Sequence, residues 1–260
     1  MPDINKRQFL EERHAAILKL VREHGRVTVE NLCERFTVSV ATTRADLVEL
    51  EKMGKIQRTH GGAIPVARGG PPVPFGTRRR LYGAEKKAIA KAGSALVKDG
   101  EVIFIDGGTT TPEMAHFLAD RKNITIITPS IEVASWLSGA SMVNVYLLNG
   151  FLNRDSLSVV GVPSEDLLRQ MNISKAYCGA AGFTLRDGLT DVDMGFVDQK
   201  RVIIRHARQA IALIDHTKIG VASLASFAAL EDIDTIITDR RLPEDMNAEL
   251  SERGIEVIVA

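Results

Sequence analysis

Residues 36–63 read FTVSVATTRADLVELEKMGKIQRTHGGA. Val40, Thr43, Leu47 and Leu50 recur at helical spacing, which predicts a helix that buries them. Ser39 stands where an N-cap hydroxyl would accept an amide of the first turn. Gly54 is placed to end that helix, and KIQRTHGGAI has the length of a tight β-hairpin. Upstream, Val29, Leu32, Cys33 and Phe36 predict a short helix capped by Thr28. Leu10, His14, Ile17 and Val21 predict a longer one stopped at Gly25. Helix, short helix, helix and hairpin in this order is a winged helix-turn-helix. Its second short helix presents N-terminal residues to the major groove of DNA. Ser39, Thr42, Thr43 and Arg44 are therefore the candidate reading residues, although the spacing groups Thr43 with Leu47 on the packed side. A threonine can touch phosphate or a thymine methyl, and an arginine can pair bidentately with guanine. Arg35, Lys55, Arg58 and His60 flank the helix as candidate phosphate-positioning groups.

The charge distribution agrees with a DNA partner for this part alone. The 260-residue chain is neutral, yet residues 1–83 hold 15 Lys+Arg against 9 Asp+Glu, and the rest holds 18 against 24. A basic segment on a neutral chain suits a polyanion. No apolar run approaches the roughly 20 residues of a membrane-spanning helix, and the polar N-terminus is unlike a signal peptide. Two distant cysteines, Cys33 and Cys178, suit a reducing cytoplasm better than a disulfide framework. Six scattered histidines and two cysteines give no metal spacing, and no cofactor fingerprint is present.

The clearest break is ARGGPPVPFGTRRRLYG, residues 67–83, with four Gly, three Pro, four Arg and no acid. It reads as an extended linker or hinge between a DNA-binding domain at 1–66 and a larger domain at 84–260. That larger part alternates strand and helix. EVIFID (101–106), NITIIT (123–128), VNVYLL (143–148), KAYCGAAG (175–182), QAIALID (209–215), DTIITD (234–239) and IEVIV (255–259) are the strand patterns. Helices are expected at about 112–118, over IEVASWL, near 197–207 and near 244–253. This predicts a Rossmann-like α/β domain with a mainly parallel sheet.

IDGGTTTPEMA (105–115) joins a strand to a helix in this domain. Gly107 and Gly108 let the backbone approach an anion, and Thr109, Thr110 and Thr111 offer hydroxyls. Thr111 is the expected N-cap, with Pro112 as first helical residue. Such a turn suits a phosphate at a helix N-terminus, but by residues alone an ordinary structural turn fits it as well.

Both segments resemble the DeoR-type bacterial transcriptional regulators. The first match falls on Val38, Ser39, Thr42, Arg44, Asp46, Leu47, Leu50, Glu51, Gly54, Arg58, His60, Gly61, Gly62 and Ala63. Thr43 stands where the family usually has isoleucine, and Ala45 where it has a second arginine. The second match falls on Asp106, Gly108, Thr109 and Thr110, with LLNG (147–150), DGLTDVD (187–193) and LIDHTKIG (213–220). The resemblance implies a sensor similar to ribose-5-phosphate isomerase that binds a phosphorylated sugar. It places Thr128, Asn149, Gly150, Asp215 and Lys218 beside the cradle. Lys218 would neutralise the phosphate, and Asp106 or Asp215 would accept sugar hydroxyls. Pro129 and Asn149 depart from the family pattern, as does the stretch around 195–198. The function implied is a repressor of carbohydrate-catabolism genes that binds double-stranded operator DNA as a dimer or tetramer. The alternative is a sugar-phosphate isomerase with an appended DNA domain, using Asp106, Asp191 or Asp215 as base.

Overall fold

The computed structural model describes residues 4–24, 27–53, 55–59, 61–65, 75–163 and 168–260, and the chain divides into two compact units, 1–78 and 79–260. The expected positions Gly25, Gly54 and His60, and linker residues 67–74, lie outside the described residues.

The first unit carries α1 (Ile4–His24), β1 (Val27–Thr28), α2 (Val29–Phe36), α3 (Val40–Lys52), β2 (Ile56–Thr59) and β3 (Gly62–Pro65). Its core is Ile17, Leu20, Val21, Leu32, Leu47, Leu50 and Ile56. Thr28 caps α2 by accepting the amide of Asn31, and Ser39 caps α3 by accepting that of Thr42 at 3.1 Å. Thr37 makes the turn between the two helices in the left-handed conformation, φ 52°. The strands run antiparallel in the order β1-β3-β2. A side chain at Gly62 would lie 1.9 Å from the carbonyl of Val27, so β1 and β3 close only over glycine there. Two expectations need correction. Val40, placed in the core by spacing, is 48% exposed because it is the first residue of α3 and extends beyond the packed turns. The linker is not wholly extended, since Phe75–Arg80 forms a short helix, α4.

The second unit begins with α5 (Gly83–Ala95) and is built on a seven-stranded sheet. In chain order its strands are β4 (Val102–Ile105), β5 (Ile124–Thr128), β6 (Val143–Leu147), β9 (Lys175–Cys178), β12 (Gln209–Leu213), β14 (Thr235–Thr238) and β15 (Glu256–Val259). Their spatial order is β15-β14-β12-β9-β4-β5-β6, with every pairing parallel. Both faces are covered, which is why the strands read as continuous apolar runs. On one face Ile103, Ile105, Ile126, Ile211 and Leu213 pack with α5, a 3₁₀ helix (Thr111–Phe117) and α6 (Ile131–Leu137). On the other, Phe104, Ile127, Ala176, Ala212 and Ile236 pack with α7 (Met194–His206) and α8 (Glu244–Glu252). A hairpin, β7 (Phe151–Asn153) with β8 (Ser158–Val160), follows β6. A small antiparallel sheet joins β10 (Gly182–Thr184), β11 (Gly188–Asp191) and β13 (Ala225–Ala228). The segment expected as an α-helix at 112–118 is the 3₁₀ helix, and Thr110, not Thr111, is its flanking residue, with no side-chain cap.

Candidate DNA interface and effector site

The helix-turn-helix sorts its candidate residues by burial. Arg35 and Arg44 are exposed, Ser39 is exposed with its hydroxyl 2.9 Å from that of Thr42, and Thr42 is half-buried. Thr43 is fully buried and its Oγ1 lies 3.2 Å from Cys33 Sγ on α2. It therefore cannot touch DNA, which corrects its inclusion among the reading residues. Asp46 lies a turn further on the same packed face. It accepts from Arg13 at 2.6 and 2.9 Å and lies 3.3 Å from His14, locking α3 to α1. A charged hydrogen bond of this kind fixes the angle at which the recognition helix leaves the bundle.

Lys55 is half-buried beside the C-terminal end of α3, its amide bonded to the carbonyl of Leu50. Arg58 on the wing is exposed and held by Glu51, which accepts from both its amide and its Nε at 2.9 Å. That ion pair orients the guanidinium along a shallow groove of about 420 Å³ bounded by Arg44, Glu51, Arg58, Gly61 and Gly62. The groove runs between recognition helix and wing, with Arg44 and Arg58 at its rim.

In the sheet unit, β4, β5 and β6 run outward in one direction and β9, β12, β14 and β15 in the other. The switch lies between β4 and β9, and ligands of open α/β sheets bind beyond the strand ends at such a point. Asp106 follows β4 and Gly179 follows β9, and the Gly179 amide donates to Asp106 Oδ2 at 3.0 Å. The Gly107 amide donates to the other carboxylate oxygen at 2.8 Å. Behind them Lys200 on α7 reaches Asp106 at 2.8 Å, Asp191 at 2.6 Å and the carbonyl of Gly179 at 2.9 Å. All three charged side chains are buried. Burial works to strip the proton from Lys200, but the two carboxylates outweigh it and its pKa is raised. Lys200 and Asp191 were not among the expected effector residues. Part of the signal was present in the match at 187–193, which contains Asp191.

This buried triad underpins the GGTTT turn. Gly107 is needed because a side chain there would come within 2.3 Å of Ser158 Oγ, whose hydroxyl bonds the Gly107 carbonyl. Gly108 has no such neighbour, since a Cβ would meet nothing closer than 3.7 Å, so its open side faces away from the packed chain. Thr111 is buried and donates to the Asp106 carbonyl at 2.9 Å. Thr128 is buried too, its hydroxyl donating to Ile105 and accepting from Ser130. Both threonines brace the turn, and their hydroxyls are already used. Among the described residues, the amides of Gly108, Thr109 and Thr110 and the hydroxyls of Thr109 and Thr110 make no hydrogen bond within the chain. They lie together in one turn at the strand end.

Asp215, at the end of β12, is buried and bonds the amide of Thr217 at 2.9 Å. Burial would raise its pKa, but Lys218, the Thr217 bonds and the buried Lys86 of α5 together lower it. Lys218 is half-buried beside it. Asn149 and Gly150 are exposed in the turn between β6 and β7, and Gly150 takes φ 145° against the Val160 carbonyl. None of the three carboxylates named as possible bases suits proton abstraction. Asp106 and Asp191 are committed to Lys200, and the lowered pKa of Asp215 makes it a weak proton acceptor. Burial drives the thiol of Cys178 up, so it is no nucleophile either.

A reading head built on helix-turn-helix and wing, joined in one chain to an α/β unit with a donor-lined strand-end turn, defines a DNA-binding transcriptional regulator with its own sensor domain. Residues 13–68 match the DeoR-like helix-turn-helix domain and residues 82–240 the DeoR C terminal sensor domain. The chain belongs to the DeoR family of transcriptional regulators. It is 35% identical to the HTH-type transcriptional repressor GlcR of Bacillus subtilis, over 96% of both chains. It is 31% identical to the regulator GolR of Listeria innocua (97% of this chain, 99% of that one) and 30% identical to the glycerol-3-phosphate regulon repressor of Escherichia coli (95% and 97%). Among solved structures, ribose 5-phosphate isomerase A from Methanocaldococcus jannaschii aligns over 52% of this chain and 53% of its own at 20% identity, with a TM-score of 0.38.

Proposed function

We propose that the protein is a cytoplasmic repressor of carbohydrate-catabolism genes that releases its operator when a phosphorylated sugar binds the sensor. The observation that carries this is the GGTTT turn. Its three amides and two hydroxyls without a partner among the described residues lie in one turn at the switch point of the sheet, next to Asp106 and the buried Lys200. Backbone donors without a partner suit a phosphate, whose oxygens accept several bonds at once. Lys218 adds positive charge at the neighbouring strand end, and Asp215 supplies an acceptor for a sugar hydroxyl. In the DNA unit, Thr42 and Arg44 read bases, while Arg35, Lys55 and Arg58 contact phosphates. One winged domain covers a short half-site, so a symmetric oligomer on a two-fold related operator is the working form.

Control then follows from linkage. A sugar phosphate that binds one sensor arrangement better than another lowers operator affinity by the ratio of those two affinities. The test is fluorescence anisotropy on a duplex selected by the protein from a random pool, titrated with phosphorylated sugars and with their unphosphorylated parents. Release by one phosphorylated member and by no parent sugar supports the proposal. Release by parent sugars alone, or no selection of any duplex, refutes it.

A further inference from the structure

The seven-stranded sheet ends on β6, whose outer edge has no partner strand among the described residues. An open edge presents a row of free N–H and C=O groups, and natural sequences blunt it with charges, proline or a bulge. β6 reads VNVYL and carries none of these. The run continues on both sides: residues 133–153, VASWLSGASMVNVYLLNGFLN, contain no Asp, Glu, Lys or Arg. One residue in four of the chain is charged, so a stretch of this length would ordinarily hold about five. The opposite edge of the sheet, β15, does carry a charge at Glu256.

The uncharged run is also apolar on its outside. Phe151 is 88% exposed, Leu152 51%, Met142 45%, Leu147 43%, Tyr146 42% and Trp136 36%. Val143 and Val145 turn inward to the α6 face of the sheet, so Tyr146 stands on the opposite face. Taking 200–250 Å² for each ring, the three aromatics alone present roughly 350 Å² of surface. With the leucines and the methionine, the apolar surface flanking this edge comes to roughly 600 Å², Trp136 contributing on the α6 side and Tyr146 on the other. It reaches toward the roughly 800 Å² that each side of a stable interface covers.

The chemistry selects the occupant. In a two-fold contact, residues near the axis meet their own copies, so any charge there would face itself. A surface cleared of charge suits that arrangement. An edge strand met by the same strand running antiparallel satisfies the backbone groups of both. The geometry points to β6 and the β7–β8 hairpin as the seam of a homodimer, in which two seven-stranded sheets join edge to edge. This rests on the reading above that the protein works as a symmetric oligomer, and names the surface that makes it one.

Sedimentation velocity on the full-length protein at micromolar concentration tests this. The wild type is expected to be dimeric or a multiple of the dimer. Tyr146→Glu combined with Phe151→Glu places four carboxylates at the seam and is expected to raise the dimer dissociation constant at least about 100-fold. Phe151→Gln, at a side chain with almost no contacts in the monomer, is the milder variant and should raise it about 10-fold. Val259→Glu, on the opposite edge, should leave the dimer intact. Far-ultraviolet circular dichroism confirms that each variant folds. A monomeric wild type would assign the patch to another protein and overturn the inference. Seam variants as dimeric as wild type, or dissociation by Val259→Glu instead, would overturn it as well. A dimer that obeys these rules but selects no DNA would refute the proposed function and leave the seam standing.

Discussion

Replacing Lys200 with methionine keeps the bulk of the side chain and removes its charge. The two Nζ–O distances of 2.8 and 2.6 Å put the oxygens of Asp106 and Asp191 at most 5.4 Å apart. Without the lysine, two ionised carboxylates at that distance repel by about 3 kcal/mol at an effective dielectric of 20. The Gly179 carbonyl also loses its donor, which brings the expected loss to roughly 3–5 kcal/mol at neutral pH, the range for a broken buried pair. The raised pKa of the wild-type lysine keeps its contribution intact below the unfolded value of about 10.4, so it is lost only in the alkaline range. The assay is urea titration followed by tryptophan fluorescence. The chain has one tryptophan, Trp136 on α6, stacked 4.1 Å from the ring of His116, so the signal follows the sensor unit alone. That avoids mixing the unfolding of two units in one curve. A loss below 1 kcal/mol would refute the assignment of Lys200 as counter-charge to both aspartates.

Two further outcomes are expected in the DNA unit. Thr43→Val should leave operator affinity within about two-fold of wild type, because its hydroxyl faces Cys33, whereas Arg44→Ala should cost about 1–3 kcal/mol and relax specificity at one base pair. Electrophoretic mobility shifts on matched and mutated operators separate these, and equal loss by both variants would contradict the burial argument. Gly62→Ala drives a methyl group onto the Val27 carbonyl and should displace the wing, lowering affinity for all duplexes while α3 stays folded; circular dichroism with binding isotherms checks both halves of that statement.

The helix-turn-helix was legible because its signals are local. Ser39 and Thr28 are caps within three residues of the amides they hold, and the core positions follow one helical period. The parallel strands were legible for a different reason. Burial on both faces makes each a short apolar run that no amphipathic helix would show. The sequence was weaker wherever distant groups converge. Asp106, Asp191 and Lys200 meet only because β4, β11 and α7 are brought together at the switch point. Thr43 was ambiguous because the same helical spacing serves a packed and a reading face. α5 went unnoticed because its buried side sets one large apolar residue, Ile89, among Lys86, Ala90, Gly93 and Ser94, with Gly93 close to Leu213. The 3₁₀ form of Thr111–Phe117 was hidden as well. Pro112 suits the start of either helix, and what separates them is how the Thr111 hydroxyl ties back to Asp106.

The central claim is that the GGTTT turn receives the phosphate of a sugar phosphate. The most direct measurement is the stability of the sensor unit, read from Trp136, across a panel of phosphorylated sugars and their parents, for wild type and for Thr110→Asp. A ligand present at 100 times its dissociation constant should stabilise by about 2.7 kcal/mol. This gain is expected for a phosphorylated sugar and not for its parent, and is abolished when a carboxylate occupies position 110. Equal stabilisation of wild type and Thr110→Asp, or stabilisation by parent sugars alone, would contradict it.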